Sequence, residues 1–197
     1  METLLKSGCW KILNLFYENK KTSIHLREIA RKTKLNENSA TRFLKILEKE
    51  DLLKSIFEGN LRKYSITSSR ALFALFSIFD IERFGKLPGL RKDAVDFFMS
   101  ALPEKPIIAV LFGSTAKGSY TKESDIDILL IVNKKINTEK AEDYADSQTG
   151  IKISCFQINY LSFQKELKLE EDKVFASAIN TGYPITNHVL YYSEVLN

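Results

Sequence analysis

The stretch Ile107–Val132, IIAVLFGSTAKGSYTKESDIDILLIV, decides how this chain is read. An apolar run from Ile107 to Phe112 meets Gly113-Ser114 without a break. A polar connection follows, and Asp125 and Asp127 then stand two apart at a second apolar run, Ile126 to Val132. Burying an unpaired carboxylate costs several kcal/mol or forces it to take a proton. Residues two apart on a strand project to the same face, so the two acids stand side by side and repel unless a cation shares them. Hard carboxylate oxygens in such a pair suit a divalent ion such as Mg²⁺ or Mn²⁺.

Working outward, strands and helices alternate. The pattern predicts a strand over 107–112, a short helix over 113–120, a strand over 126–132 and a helix over 138–147. A strand over 151–158 and a helix over 162–178 follow, ahead of the tail GYPITNHVLY. Alternation of this kind predicts a mixed or mostly parallel sheet with flanking helices. Upstream, RKDAVDFFMSAL (Arg91–Leu102) reads as an amphipathic helix ended by Pro103 and Pro106. RALFALFSIFDIERF (Arg70–Phe84) is apolar almost all round, which predicts burial on every side. Packing between two halves of the chain or a helix shared in a homodimer would both provide it, and the homodimer is the expectation preferred. Gly85–Gly89 breaks that helix.

The residues GSTAKGSYTKESDID resemble the signature of the DNA polymerase β-like nucleotidyltransferase superfamily, in its minimal prokaryotic and archaeal form. That pattern is an apolar strand ending in Gly-Ser, about a dozen residues, and then Asp-apolar-Asp on the next strand. The resemblance implies a nucleoside triphosphate as substrate or ligand, Mg²⁺ or Mn²⁺ as cofactor, and nucleotidyl transfer to an acceptor hydroxyl. It assigns Asp125 and Asp127 to metal binding and catalysis, and Gly113, Ser114, Lys117 and Ser124 to the nucleotide. A solvated loop lysine is an equal reading of Lys117. Catalytic members carry a third carboxylate on a later strand. Here that strand, KISCFQINY, has no acid, and Ser154 or Gln157 takes the position. Glu142, Asp143 and Asp146 precede it on a polar helix and read as a solvated face. The resemblance also extends to a small protein partner, as minimal members often work with one.

The first third differs. Leu4, Leu5, Ile12, Leu13, Leu15 and Phe16 fall at helical spacings around Lys6, Lys11 and Asn14. HLREIARKT (His25–Thr33) is a short second helix, and Asn36 is placed to cap a third from Glu37 to Lys49. LLKSIF and LRKYSI then flank Glu58-Gly59-Asn60 as a hairpin. HLREIARKTKLNENSATRFLKILEKEDLL followed by FEGNLRKY resembles the winged-helix DNA-binding domains of transcription regulators. The resemblance implies base contacts from Asn38, Ser39, Thr41 and Arg42 and phosphate contacts from Lys45, Arg62 and Lys63. A solvated basic face used for dimerisation or protein contact is the alternative.

Charge supports an anionic partner for this part. The chain carries a net +4, but residues 1–69 hold 14 Lys/Arg against 8 Asp/Glu and the remainder 15 against 17. At 44% hydrophobic and 27% charged, the 197 residues describe a folded chain of one or two domains. Two cysteines, Cys9 and Cys155, exclude a disulfide framework. No apolar run approaches the ~20 residues of a membrane helix, and no signal-peptide pattern opens the chain, so a cytoplasmic location without membrane contact is expected. The sequence therefore predicts an α/β (α+β) protein of two domains. A winged helix-turn-helix spans 1–69, a connecting helix and linker 70–89, and a nucleotidyltransferase-like mixed sheet 90–197. The expected function is a nucleotidyltransferase with a DNA-binding winged helix. The alternative is a DNA-binding transcriptional regulator whose nucleotidyltransferase-like domain is catalytically weak or inactive.

Overall fold

The computed structural model describes residues 8–169 and 171–196. Leu4, Leu5 and Lys6, read as the start of the first helix, lie outside the described residues. The described chain divides into two compact units, residues 8–79 with Leu196, and residues 80–195.

The first unit contains α1 (Gly8–Glu18), β1 (Ile24–His25), α2 (Leu26–Thr33), α3 (Glu37–Lys49), β2 (Leu53–Glu58) and β3 (Leu61–Ile66). Ile12, Leu13 and Phe16 of α1, Ile29 and Ala30 of α2, and Ala40, Leu44 and Leu47 of α3 make its core. These are the positions that a 3.6-residue period puts on one face of each helix. Asn36 caps α3, its Oδ1 accepting from the Ser39 N–H at 2.8 Å. His25 caps α2 through Nδ1, which accepts from the Glu28 N–H at 3.2 Å. The hairpin closes at Gly59-Asn60, where Gly59 alone takes the left-handed φ of +60°. The pairing of Ile24 with Tyr64 adds a third, two-residue strand, giving the sheet order β1-β3-β2. A strand of that length has no periodicity to read.

Helix α4 (Arg70–Gly85) passes from one unit into the other. In the first unit Leu72, Phe73, Phe76 and Phe79 are buried. Trp10 stacks on Phe79 at 4.1 Å, and Tyr17 packs against Phe76 and Phe79. The expectation of a helix buried on every side is corrected here. Ala71, Ala74 and Ile81 are exposed, and Asp80 is the fully buried polar residue. Within the second unit the Asp80 carboxylate accepts from Tyr192 Oη at 2.8 and 3.0 Å and lies 3.0 Å from His188 Nδ1.

The second unit continues with α5 (Gly89–Ala101), β4 (Ile108–Phe112), α6 (Gly113–Lys117), β5 (Ile126–Val132), α7 (Glu139–Thr149) and β6 (Ile153–Asn159). It ends with α8 (Tyr160–Leu169), α9 (Lys173–Thr181), β7 (Tyr183–Pro184) and α10 (His188–Val195). The sheet order is β6-β5-β4-β7. It is mixed, and a mostly parallel sheet is ruled out. Only β5 and β6, joined through α7, run parallel, while β4 is antiparallel to both β5 and β7. The reason is that α6 is five residues long and the chain turns back beside β4 instead of crossing the sheet. That reversal brings the end of β4 and the start of β5 to one end of the sheet.

Ile126, Ile128, Leu130 and Val132 pack with Ala109 and Leu111 under Ala94, Val95 and Phe98 of α5 and Ala141 and Ala145 of α7. Helices α8 and α9 lie against the other face. The single helix expected over 162–178 is two helices, because Asp172 starts α9 anew, its Oδ1 accepting from the Val174 and Phe175 N–H groups at 2.7 and 3.0 Å. Among the described residues, no helix is long and apolar enough to cross a membrane.

Candidate functional site

Phe112, at the end of β4, lies opposite Asp127 of β5, and Asp127 lies opposite Ser154 of β6. Phe112, Asp127 and Ser154 therefore share one face. Ile126 is wholly buried on the opposite face, so its neighbours Asp125 and Asp127 project together. Asp125 is exposed and Asp127 half-buried. Burial raises the Asp127 carboxyl above its ordinary pKa, and the negative charge of Asp125 adds to the shift.

Gly113 follows Phe112 with φ +68°. A Cβ built there would fall 2.8 Å from Asp127 Cγ, with Oδ2 closer still. The Asp127 carboxylate thus occupies the space that a side chain at position 113 would fill. Ser114, the second residue of α6, is half-exposed, and its hydroxyl has no hydrogen-bond partner among the described residues. Lys117 ends the helix, exposed. Ser124 is used differently from expectation. Its hydroxyl accepts from the Thr121 N–H at 2.9 Å and lies 3.2 Å from Thr121 Oγ1, closing the turn that leads into Asp125.

The two alternatives for the third acid position separate. Ser154 is on the acids' face, where its Oγ donates to Asp125 Oδ2 at 3.4 Å. Gln157 is on the other face. Its Nε2 donates to the Ile136 carbonyl at 2.9 Å, and its Oε1 accepts from the Ile136 N–H at 3.0 Å. A hydroxyl thus stands where a third carboxylate would. Among the described residues, no three His, Cys, Asp or Glu side chains are grouped to hold a metal ion. Phe112 and Phe156 meet edge to face at 5.6 Å behind the acids, and Phe156 is partly exposed.

Sequence reasoning missed Arg91 of α5. The residue is 4% exposed, and its guanidinium reaches both ends of the connection between β4 and β5. Nη1 donates to Thr115 Oγ1 at 2.8 Å, and Nη2 donates to the carbonyls of Thr121 and Ser124 at 2.8 and 2.9 Å. The Tyr120 ring covers it at 4.1 Å. A signal was available. Positions 91, 94, 95 and 98 form the buried stripe of the helix, and an arginine on such a stripe must be hydrogen-bonded inside.

In the first unit the predicted nucleic-acid residues divide. Asn38, Arg42 and Lys45 are exposed along one side of α3, with Ser39 half-buried beside them. The Thr41 hydroxyl is turned back to the Glu37 carbonyl at 2.8 Å. Arg62, expected to contact phosphate, has partners inside the unit. Its Nη2 donates to both Glu48 oxygens at 2.8 and 3.0 Å and its Nε to Ser55 Oγ at 2.9 Å, joining β3 to α3 and β2. Lys63 pairs with Glu58 across the hairpin.

Residues 95–182 match the family model described as Polymerase beta, Nucleotidyltransferase. The matched span holds Gly113, Ser114, Asp125 and Asp127, and it supports the nucleotidyltransferase superfamily for this segment. No curated protein and no solved structure gives a significant match to the chain.

Proposed function

We propose that the second unit transfers a nucleoside monophosphate from a nucleoside triphosphate to an acceptor hydroxyl, and that the first unit is a winged helix-turn-helix that binds DNA. The observation that carries the transferase reading is the meeting of the Gly113-Ser114 turn and the Asp125/Asp127 pair at one end of the sheet, inside the segment that matches the family model.

Asp125 and Asp127 suit Mg²⁺ or Mn²⁺. They offer hard oxygens, and a cation offsets both the burial and the Asp125 charge that together raise the Asp127 pKa. A cation held there supplies neutralising charge to the phosphate oxygens. The chain's own residues do the rest. Gly113 lets the phosphate chain approach the backbone, the free Ser114 hydroxyl donates to it, and Lys117 offsets its charge. The acceptor oxygen bonds to the α-phosphorus as the bond to the bridging oxygen breaks and pyrophosphate leaves. The acceptor's proton passes to water, because position 154 offers a hydroxyl and no carboxylate. Transfer is accordingly slower than at a site with three acids.

Asn38, Arg42 and Lys45 supply the DNA-reading face, with Ser39 and Thr41 beside them, and helices of this kind read the major groove through such side chains. A homodimer would match a two-fold operator. Ser154 favours a second reading, a DNA-binding regulator whose second unit binds nucleotide and transfers it weakly or not at all.

The test incubates the chain with α-³²P-labelled nucleoside triphosphates and Mg²⁺ or Mn²⁺, with and without cell extract. Labelled product that disappears in Asp125→Ala/Asp127→Ala supports transfer. No label with either metal, alongside retained nucleotide binding, leaves the regulator reading. In a mobility-shift assay, Arg42→Ala/Lys45→Ala should weaken DNA binding and flatten its salt dependence. Unchanged binding refutes the winged-helix reading.

A further inference from the structure

We propose that Arg91 is a positioning residue of this site, a clamp that sets the distance between the phosphate turn and the acid pair. The proposal rests on the nucleotide reading of Gly113-Ser114 and Asp125/Asp127. Thirteen residues separate β4 from β5, and only five of them are helical. The acids and Ser114 lie at opposite ends of that connection. A connection of this length holds its two ends in register only if something ties them together.

Arg91 is that tie. One guanidinium nitrogen binds Thr115, the residue after Ser114, and the other binds the carbonyl of Ser124, the residue before Asp125. The Thr121 carbonyl and the Tyr120 ring occupy more of the same group. A guanidinium is planar with fixed fork geometry, so its two grips cannot move independently. Thr115 is itself buried, at 1% exposure, and cannot swing away to seek another partner.

Every hydrogen-bond acceptor of Arg91 among the described residues is neutral, a hydroxyl or a carbonyl. Its charge is therefore not cancelled by a neighbouring carboxylate. It adds positive potential beneath the turn that faces the phosphates, in surroundings that screen it less than water does. The same residue thus shapes the turn and favours an anion there. A lysine would keep the charge but could not grip both ends, which separates the two contributions.

The experiment compares wild type, Arg91→Lys, Arg91→Met and Thr115→Val as full chains. The first readout needs no ligand. Lys117 and Lys122 are exposed in the connection, so trypsin cleavage after them reports its order. The second is the Kd for inorganic tripolyphosphate with Mn²⁺, by calorimetry, beside the Tm of each variant. Arg91→Lys and Arg91→Met should both be cut faster. Arg91→Lys should bind tripolyphosphate about tenfold more weakly, the scale of one lost charge-assisted hydrogen bond, and Arg91→Met more weakly still, having also lost the charge. Thr115→Val should lose part of each.

A role in stability alone would lower Tm and leave the affinity of the folded protein unchanged. Restoration of both readouts by Arg91→Lys overturns the two-ended grip. Unchanged cleavage and unchanged affinity in the arginine variants overturn the proposal while the nucleotide reading stands. If those variants do not fold, Thr115→Val decides on the same two readouts. Failure of wild type to bind tripolyphosphate overturns the nucleotide reading, and this proposal with it.

Discussion

Replacing Gly113 by alanine tests the site at its tightest point. The added Cβ would overlap Asp127 Oδ2 and meet Cγ at 2.8 Å, where ordinary contact begins at 3.4 Å, so the carboxylate oxygen must move by about 1.5 Å. It cannot retreat along its strand, because Asp127 is paired with Phe112 on one side and Ser154 on the other. Rotation about the side-chain torsions remains, and that turns the oxygens away from Asp125. Two costs follow. The left-handed φ of +68° disfavours alanine by about 1–2 kcal/mol regardless of the neighbour. Overpacking against Asp127 adds about 1–3 kcal/mol. A proposed metal site here would lose affinity on a similar scale, since a shift of about 1 Å or more where fixed geometry is demanded costs up to about a hundredfold. Denaturant unfolding of Gly113→Ala, Asp127→Ala and the double variant separates these effects. Asp127→Ala should relieve the contact cost and leave the φ cost, so the single changes should not add. Mn²⁺ binding to Gly113→Ala, followed by electron paramagnetic resonance, should fall about ten- to a hundredfold. Binding equal to wild type, or strictly additive stabilities, would refute the close approach of Asp127 to position 113.

Three further outcomes are expected. The folded pKa of Asp127 is raised, so above its unfolded value of 3.8 the folded protein holds the extra proton. Stability without metal should therefore fall as pH rises from 3.8 through the raised value, while Mn²⁺ affinity climbs over the same window as the proton is displaced. Asp125→Asn should narrow that window by removing the neighbouring charge, and a pH titration of Mn²⁺ binding that ignores Asp125 would contradict this. Ser154→Asp would place a third carboxylate beside Asp125, within the 3.4 Å contact now made by the serine hydroxyl. It should tighten Mn²⁺ binding, raise the pKa of Asp127 further and speed nucleotide transfer if transfer occurs. A calorimetric titration showing no gain in affinity would count against the placement of Ser154. Arg62→Ala should destabilise the first unit by about 1–2 kcal/mol, because Glu48 is left half-buried with Ser55 alone. Its effect on DNA binding at constant fold should be smaller than that of Arg42→Ala, as judged by mobility shift beside thermal unfolding.

How much of this was legible beforehand depends on distance along the chain. Period and punctuation are local properties. The spacing of Ile12, Leu13 and Phe16, the cap at Asn36 and the turn at Gly59 could all be read, because each reflects a neighbour within a few residues. The apolar runs ending at Phe112 and starting at Ile126 are likewise local, as is the pairing of Asp125 with Asp127 on one face. Two helices where one was expected turned on Asp172, a capping residue whose signal was outweighed by a continuing apolar period.

The tertiary structure decided what depends on partners far apart. That β4 runs antiparallel to β5 follows from a chain reversal that no residue pattern announces. Which residue of β6 faces the acids is a matter of register. Once Asp127 pairs with Ser154, alternation sends Gln157 to the opposite face and into the Ile136 loop. Arg62 has the composition of a phosphate contact but lies beside Glu48, fourteen positions away. Arg91 sits more than twenty positions before the turn it holds. The sequence by itself determined the residue types at the site, because hydrophobic periodicity leaves two carboxylates and a Gly-Ser turn with few other uses. Only the folded chain decided their spacing, because that distance is set by an arginine on another helix, and hydrogen bonds between distant residues leave no period to read.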